Sequence, residues 1–363
     1  MNTTAYDLQG FSPKTVHRIV SDLMRPRLRV YWADLLISLT VAALAFAVIP
    51  LLQWRLPGSL LAMLVLVIAM YRAFVFLHEI VHFRSRRQFA RFRWWWNLLC
   101  GIPLFMPSFM FEHHTEHHSQ RWYGTSHDAE YVALARMPPR EIVKLLVSVP
   151  LLPFFGPLRF GVLTPISWFV PRLRTYVYEN LSALKLDLDY KGRPPRTAAE
   201  RRSWMLQELG CLVLLVAAGT GFLSGLIPWM FLLQWYVMYA CLAGLDTVRL
   251  LGAHRYRGNE ESMSVVEQML DTYNYPRRRM LTELWAPVGL RLHALHHLLP
   301  GLPYHSYQEA HLRLVAELPE DSPYRKTESA GLLWSLRTLW HTARTSTTLA
   351  PATVKNSQPG FLS

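Results

Sequence analysis

Two apolar runs, about residues 31–54 and 59–77, lie almost end to end near the start of the chain, separated only by residues 55–58. Each is close to the roughly 20 residues that carry a helix across a bilayer. Inside hydrocarbon the backbone must satisfy its own hydrogen bonds, so such runs become helices, and so short a link folds them into a hairpin. A second hairpin reads from about residues 206–225 and 229–251, around the turn Gly225-Leu226-Ile227-Pro228. The fold class that follows is an all-α integral membrane protein with about four transmembrane helices in two hairpins. Composition agrees: 51% of the 363 residues are hydrophobic and 17% are charged, against about a quarter charged in an average soluble domain.

Basic residues set the orientation. Lys14, Arg18, Arg25, Arg27 and Arg29 precede the first hairpin, and Arg84, Arg86, Arg87, Arg91 and Arg93 follow it. Arg201 and Arg202 before the second hairpin, and Arg249, Arg255 and Arg257 at its close, repeat the pattern. The positive-inside bias places these ends in the cytosol. A net charge of +13 is therefore read as membrane-surface charge, with no nucleic-acid partner, because the positive residues alternate with apolar runs. Residues 1–30 lack the apolar core of a secretory signal and are expected to form a cytosolic arm. Residues 31–345 would be the membrane domain, with 78–205 and 252–345 cytosolic or interfacial. Within these, the Pro-interrupted stretches 94–110 and 143–170 suit interfacial helices. The Thr, Pro and Ser-rich tail, 346–363, is expected to be disordered.

Chemistry is carried by histidine. Of 15 histidines most are grouped: His78-Glu79-Ile80-Val81-His82; Glu112-His113-His114-Thr115-Glu116-His117-His118; and His293-Ala294-Leu295-His296-His297. At i, i+3 and i+4 on a helix, the rings of an HxxHH motif share one face. At this histidine content an HxxxH arises by chance about 0.6 times in such a chain and an HxxHH about 0.02 to 0.03 times, so the two HxxHH motifs carry the signal. All three clusters fall at the predicted cytosolic ends of the spans, where ionisable groups are costly and usually functional. Isolated histidines such as His17, His311 and His341 are read as structural. The three cysteines, Cys100, Cys211 and Cys241, lie far apart and offer neither a disulfide framework nor an iron-sulfur site.

So many imidazoles exceed the coordination of one metal, which implies two. Imidazole alone does not choose among iron, zinc, copper and nickel. The carboxylates Glu79, Glu112, Glu116, Asp128, Glu130 and Asp246 could be ligands, or could accept hydrogen bonds from the second ring nitrogen of each ligand. Glu79, Glu116 and Asp128 are the chief candidates for that support. Two competing readings exist. His78-Glu79-Ile80-Val81-His82 also satisfies the HExxH motif of membrane metalloproteases, which leaves the two HxxHH motifs unexplained. A metal carrier would place its ligands at mid-membrane depth.

The order HxxxH, HxxHH, HxxHH resembles the membrane fatty acid desaturase superfamily, in its bacterial acyl desaturase branch. The likeness runs from about His78 to His311. It includes Tyr123-Gly124-Thr125 with Asp128, Glu130 and Tyr131, Gly252-Ala253-His254-Arg255-Tyr256, and the segment from His296 to His305. The resemblance implies a non-haem di-iron centre held by His78, His82, His114, His117, His118, His254, His293, His296 and His297, with O2 as co-substrate. His113 leaves a box-two register one residue earlier open, the HxxHH spacing favouring His114, and His305 is either a hydrogen-bonding support or a turn residue. The implied substrate is a fatty acyl chain and the implied reaction introduces a C=C bond. Hydroxylation, or oxidative decarboxylation of a free acid held by an Arg such as Arg249 or Arg255, are sister outcomes on the same centre. An external donor of ferredoxin, rubredoxin or cytochrome type would supply electrons, and the setting would be a bacterial inner membrane with the site on its cytosolic side.

Overall fold

A computed structural model describes residues 11–349. The first hairpin pairs helices Leu28–Leu51 and Gly58–His82, the second Ala198–Leu223 and Trp229–Ala253. All four are long and apolar enough to cross a membrane. The second helix continues through His82, so the first histidine box is the last turn and a half of a span helix, where the sequence had placed it after the span. The third starts at Ala198, before its apolar run. Thr197 caps it: its hydroxyl accepts the Glu200 N–H while the Glu200 carboxylate accepts from the Thr197 N–H. Hydropathy is blind to that polar first turn, which is why the helix begins earlier than its apolar run. The second hairpin closes at Gly225, whose φ of +74° a side chain would disfavour.

Residues Pro139–Phe169 form one helical run, long and apolar enough to count as a fifth candidate. A 3-10 turn at Val149–Leu151, which takes in Pro150, and a π turn at Arg159–Leu163 interrupt the run without ending it. Near its start Ile142 packs with Leu251 and Tyr256, at the end of the fourth helix. Near its finish Trp168 lines one pocket with Ala198, Arg201 and Arg202, at the start of the third. Both ends therefore meet the end of the bundle that carries the histidines. Midway, Arg159 and Glu208, both fully buried, pair at 2.8 Å, and Arg174 reaches the same carboxylate at 2.6 Å.

Among the described residues there is no strand, only isolated bridges that tie His254 to Thr272 and Asn274 to Leu292 and Glu328. The short helices after residue 253 pack over the histidine-bearing ends of the hairpins in an apolar cluster of their own. The arm joins this cluster through Phe11, Val16 and Val20, which lie with Leu295, Ala310 and Leu314. Helix Leu332–Leu349 runs into the segment expected to be tail, and residues 350–363, like 1–10, lie outside the described residues.

Candidate metal centre

Four short structural units bring the histidines together. The end of helix Gly58–His82 contributes His78 and His82. The single turn His114–His117 and its cap contribute His114, His117 and His118. His254 caps helix Trp229–Ala253, and helix His293–Leu298 contributes His293, His296 and His297. These nine rings separate into two groups, His78, His82, His114, His118 and His296, and His117, His254, His293 and His297, with the ligand atoms of each group within 4.8 Å of one another. Two nitrogens on opposite sides of one ion at about 2.1 Å each would stand about 4.2 Å apart, so a metal fits each group with little contraction. The groups adjoin through His118 and His297, whose ring centroids are 4.4 Å apart.

Nitrogens converge inside each group. His118 Nε2 lies 3.0 Å from His114 Nε2 and 2.9 Å from His296 Nε2. His293 Nε2 lies 3.0 Å from His254 Nε2 and 3.3 Å from His297 Nε2. Both nitrogens of His78 and Nε2 of His82 are buried with no hydrogen-bond partner. Buried polar atoms in this state are expensive, and a bound cation would satisfy them together. Burial first, then the neighbouring imidazoles, holds His114, His118, His293, His296 and His297 well below the usual histidine range, and burial with His117 and Arg249 does the same to His254. These rings are neutral at physiological pH, which is the form that binds metal.

The Nδ1 atoms of four rings, His114, His117, His254 and His296, are held by a polar frame. His114 Nδ1–H donates to Glu130 Oε1 at 2.7 Å, and His117 Nδ1–H lies 2.9 and 3.0 Å from the two Asp128 oxygens. His254 Nδ1 bonds the Tyr123 oxygen at 3.0 Å, and Tyr123 and Tyr131 both donate to Asp271, at 3.1 and 2.7 Å. His296 Nδ1 bonds the Tyr307 oxygen at 2.8 Å. Such contacts fix which nitrogen faces the metal. Burial opposes charge on His117, but Asp128 overrides it and raises that ring above the ordinary value. Burial pushes the Glu130 carboxyl up to about 8.

The remaining candidates lie elsewhere. His113 donates to the Leu184 carbonyl at 2.8 Å and belongs to neither group, so the geometry follows the His114 register. Glu116 accepts from the Tyr190 hydroxyl at 2.9 Å. Glu79 accepts from the Tyr31 hydroxyl and from the Tyr304 N–H, and so holds the third-box segment on the first hairpin. His305 accepts the Arg27 N–H at 2.9 Å and anchors the arm. None of these four hydrogen-bonds a clustered histidine. Asp271 and Tyr307 were not foreseen; a lone acid after Met269-Leu270 and a lone tyrosine after His305-Ser306 belong to no motif.

Residues 54–328 match the family described as Fatty acid desaturase. The chain is also similar to a ceramide hydroxylase of Caulobacter vibrioides (strain NA1000 / CB15N), 38% identical over 330 residues that cover 90% of this chain and 92% of that protein. With histidine clusters able to hold metal at the ends of apolar helices, and with matches that span most of its length, this chain belongs to the fatty acid desaturase family of integral membrane oxidoreductases.

Proposed function

We propose that the chain oxidises a membrane lipid with two iron ions and O2, and that its product is a hydroxylated ceramide-class lipid. The observation that carries the metal assignment is the division of His78, His82, His114, His118 and His296 from His117, His254, His293 and His297 into two adjoining, largely buried groups. Two iron ions held there would supply the oxidising power to convert an unactivated C–H to C–OH, one oxygen of O2 entering the lipid and the other leaving as water with two electrons and two protons. Glu130, Asp128, Tyr123 and Tyr307 would orient the rings, and Asp128 would favour electron-rich ligation by His117.

The likeness to a ceramide hydroxylase favours hydroxylation over the C=C bond implied by the histidine boxes alone. The family description supports desaturation as a second reading with the same oxidant and electrons. Electrons would come from a separate donor of ferredoxin, rubredoxin or cytochrome type, and the site would face the cytosol at a bacterial inner membrane, as the arginines flanking the hairpins suggest. The metalloprotease reading loses its general base, because Glu79 is engaged by Tyr31 and Tyr304.

Mass spectrometry of lipids from cells expressing the chain or its His296→Ala variant tests this. A ceramide gaining one oxygen, dependent on His296, supports hydroxylation. A lipid losing two hydrogens moves the reaction to desaturation, and identical lipids in both cultures overturn the oxidase reading.

A further inference from the structure

Beneath the histidines, between the second and fourth helices, lies a polar group that the metal centre does not use. Tyr71 stands two turns before His78 on the same face of its helix, about 10 Å along the axis. Its hydroxyl donates to Asp246 Oδ1 at 3.0 Å. Arg249, five residues before His254 and so about 7 to 8 Å away along its helix, donates from Nη2 to the same oxygen at 2.6 Å.

Two features set this group apart from a closed ion pair. The Nε of Arg249 is buried with no hydrogen-bond partner, although only 12% of the side chain is accessible, while Asp246 keeps 30% accessible. Both bonds to Asp246 end on Oδ1, which leaves Oδ2 to accept. A buried donor without a partner therefore belongs to the same group as a carboxylate that keeps an accessible edge. The charges already match, so an anionic head group would meet the carboxylate and gain nothing net from the guanidinium. A neutral group that both accepts and donates satisfies the pair: a carbonyl taking the Arg249 Nε–H, and an N–H or O–H giving to Asp246.

Resting on the proposed lipid oxidation, we propose that Asp246 and Arg249 seat the uncharged amide-and-hydroxyl head of the lipid, so that oxidation falls on carbons close to that head. The short distance from this seat to His254 and His78 limits how much chain can lie between the head and the metals. Tyr71 is a positioning residue that holds the Asp246 carboxylate.

The test uses the full chain in detergent and the paired variant Asp246→Leu/Arg249→Met. Replacing both partners with apolar residues avoids stranding a charge and commonly preserves folding; bound metal at the wild-type level shows that the centre is intact. The probes are N-hexadecanoyl sphinganine and hexadecane, with binding read by native mass spectrometry. Retention of the amide lipid should weaken about ten-fold or more, the scale of hydrogen bonds to charged groups, with hexadecane unchanged. Equal retention of the amide lipid by both proteins overturns the seat. Wild-type product is then fragmented: oxygen on carbons adjoining the amide or hydroxyl group supports the proposal, and mid-chain or terminal oxygen refutes it. If the wild type oxidises no lipid while the binding difference stands, the oxidase reading fails and the seat does not.

Discussion

Replacing Asp128 by Asn removes one negative charge from the polar frame while keeping its shape. Asp128 is fully buried. It takes the His117 Nδ1–H at 2.9 and 3.0 Å, the Gly124 N–H at 3.1 Å and the Glu130 N–H at 3.0 Å. A hydrogen bond to a charged group contributes about 1.5–3 kcal/mol and a neutral one about 0.5–1.5 kcal/mol, so the loss at His117 is about 1–1.5 kcal/mol, or roughly ten-fold in an equilibrium constant. The asparagine amide must also point its own N–H groups toward Gly124 or Glu130, which adds to the loss. Carboxylates that orient metal-bound histidines carry about 10- to 100-fold in affinity, and the two lines of reasoning meet near the lower bound. The assay is anaerobic titration of the purified protein with ferrous ion against a competing chelator. Affinity at the His117 group should fall by that amount while the other group retains its metal. A pH series adds a sign: Asp128 raises His117, so wild-type metal binding weakens as pH falls through that raised value. Without the carboxylate, burial dominates, His117 titrates lower, and the weakening moves to more acid pH. Wild-type affinity together with an unchanged pH profile would falsify the view that Asp128 tunes the metal through His117.

Other perturbations separate the metal centre from the scaffold. His296→Ala should lower bound iron and abolish lipid oxidation while the protein remains in the membrane, with His113→Ala as a control of normal metal content; elemental analysis of both proteins decides. Glu208→Gln leaves the fully buried Arg159 without its partner charge, and should cost about 3–5 kcal/mol; an unaltered thermal melt would show that the pair is dispensable. His311 is buried, bonds the Tyr324 hydroxyl at 2.7 Å, and is held down to about 4 by burial and then by Arg291. Its folded value lies below its unfolded one, so its stabilising contribution is present above about 6.5 and is lost as pH falls from there through about 4. His311→Ala should melt at lower temperature at neutral pH, with the acid-side slope reduced and metal content unchanged.

Much of the centre was readable because its ligands come in motifs tied to helical spacing. His78 with His82, and the paired HxxHH segments, announce themselves by recurrence, and His254 entered through resemblance. The supports were less readable. Asp128 lies eleven residues beyond His117 and still reaches it, whereas Glu116, directly beside the same histidine, turns to Tyr190. Helix geometry explains the difference: adjacent residues point apart, while a loop can return a distant carboxylate to the ring. Asp271 and Tyr307 had no local signature, since each acts through a contact made only after the segments beyond the fourth helix fold over the bundle.

By itself the sequence determined a helical membrane protein, because twenty-residue apolar runs in hydrocarbon have no other way to satisfy their backbones. It also determined which histidines can share a face, because an HxxHH places its rings on one side of a helix. Only the tertiary structure decided that five rings form one group and four the other, since that partition mixes residues from different helices. It also decided that Pro139–Phe169 begins and ends against the histidine-bearing end of the bundle, and that Arg249 keeps an unpaired N–H beneath the centre. Spacing along a chain sets faces and lengths; which faces meet is set by long-range packing, which residue order does not display.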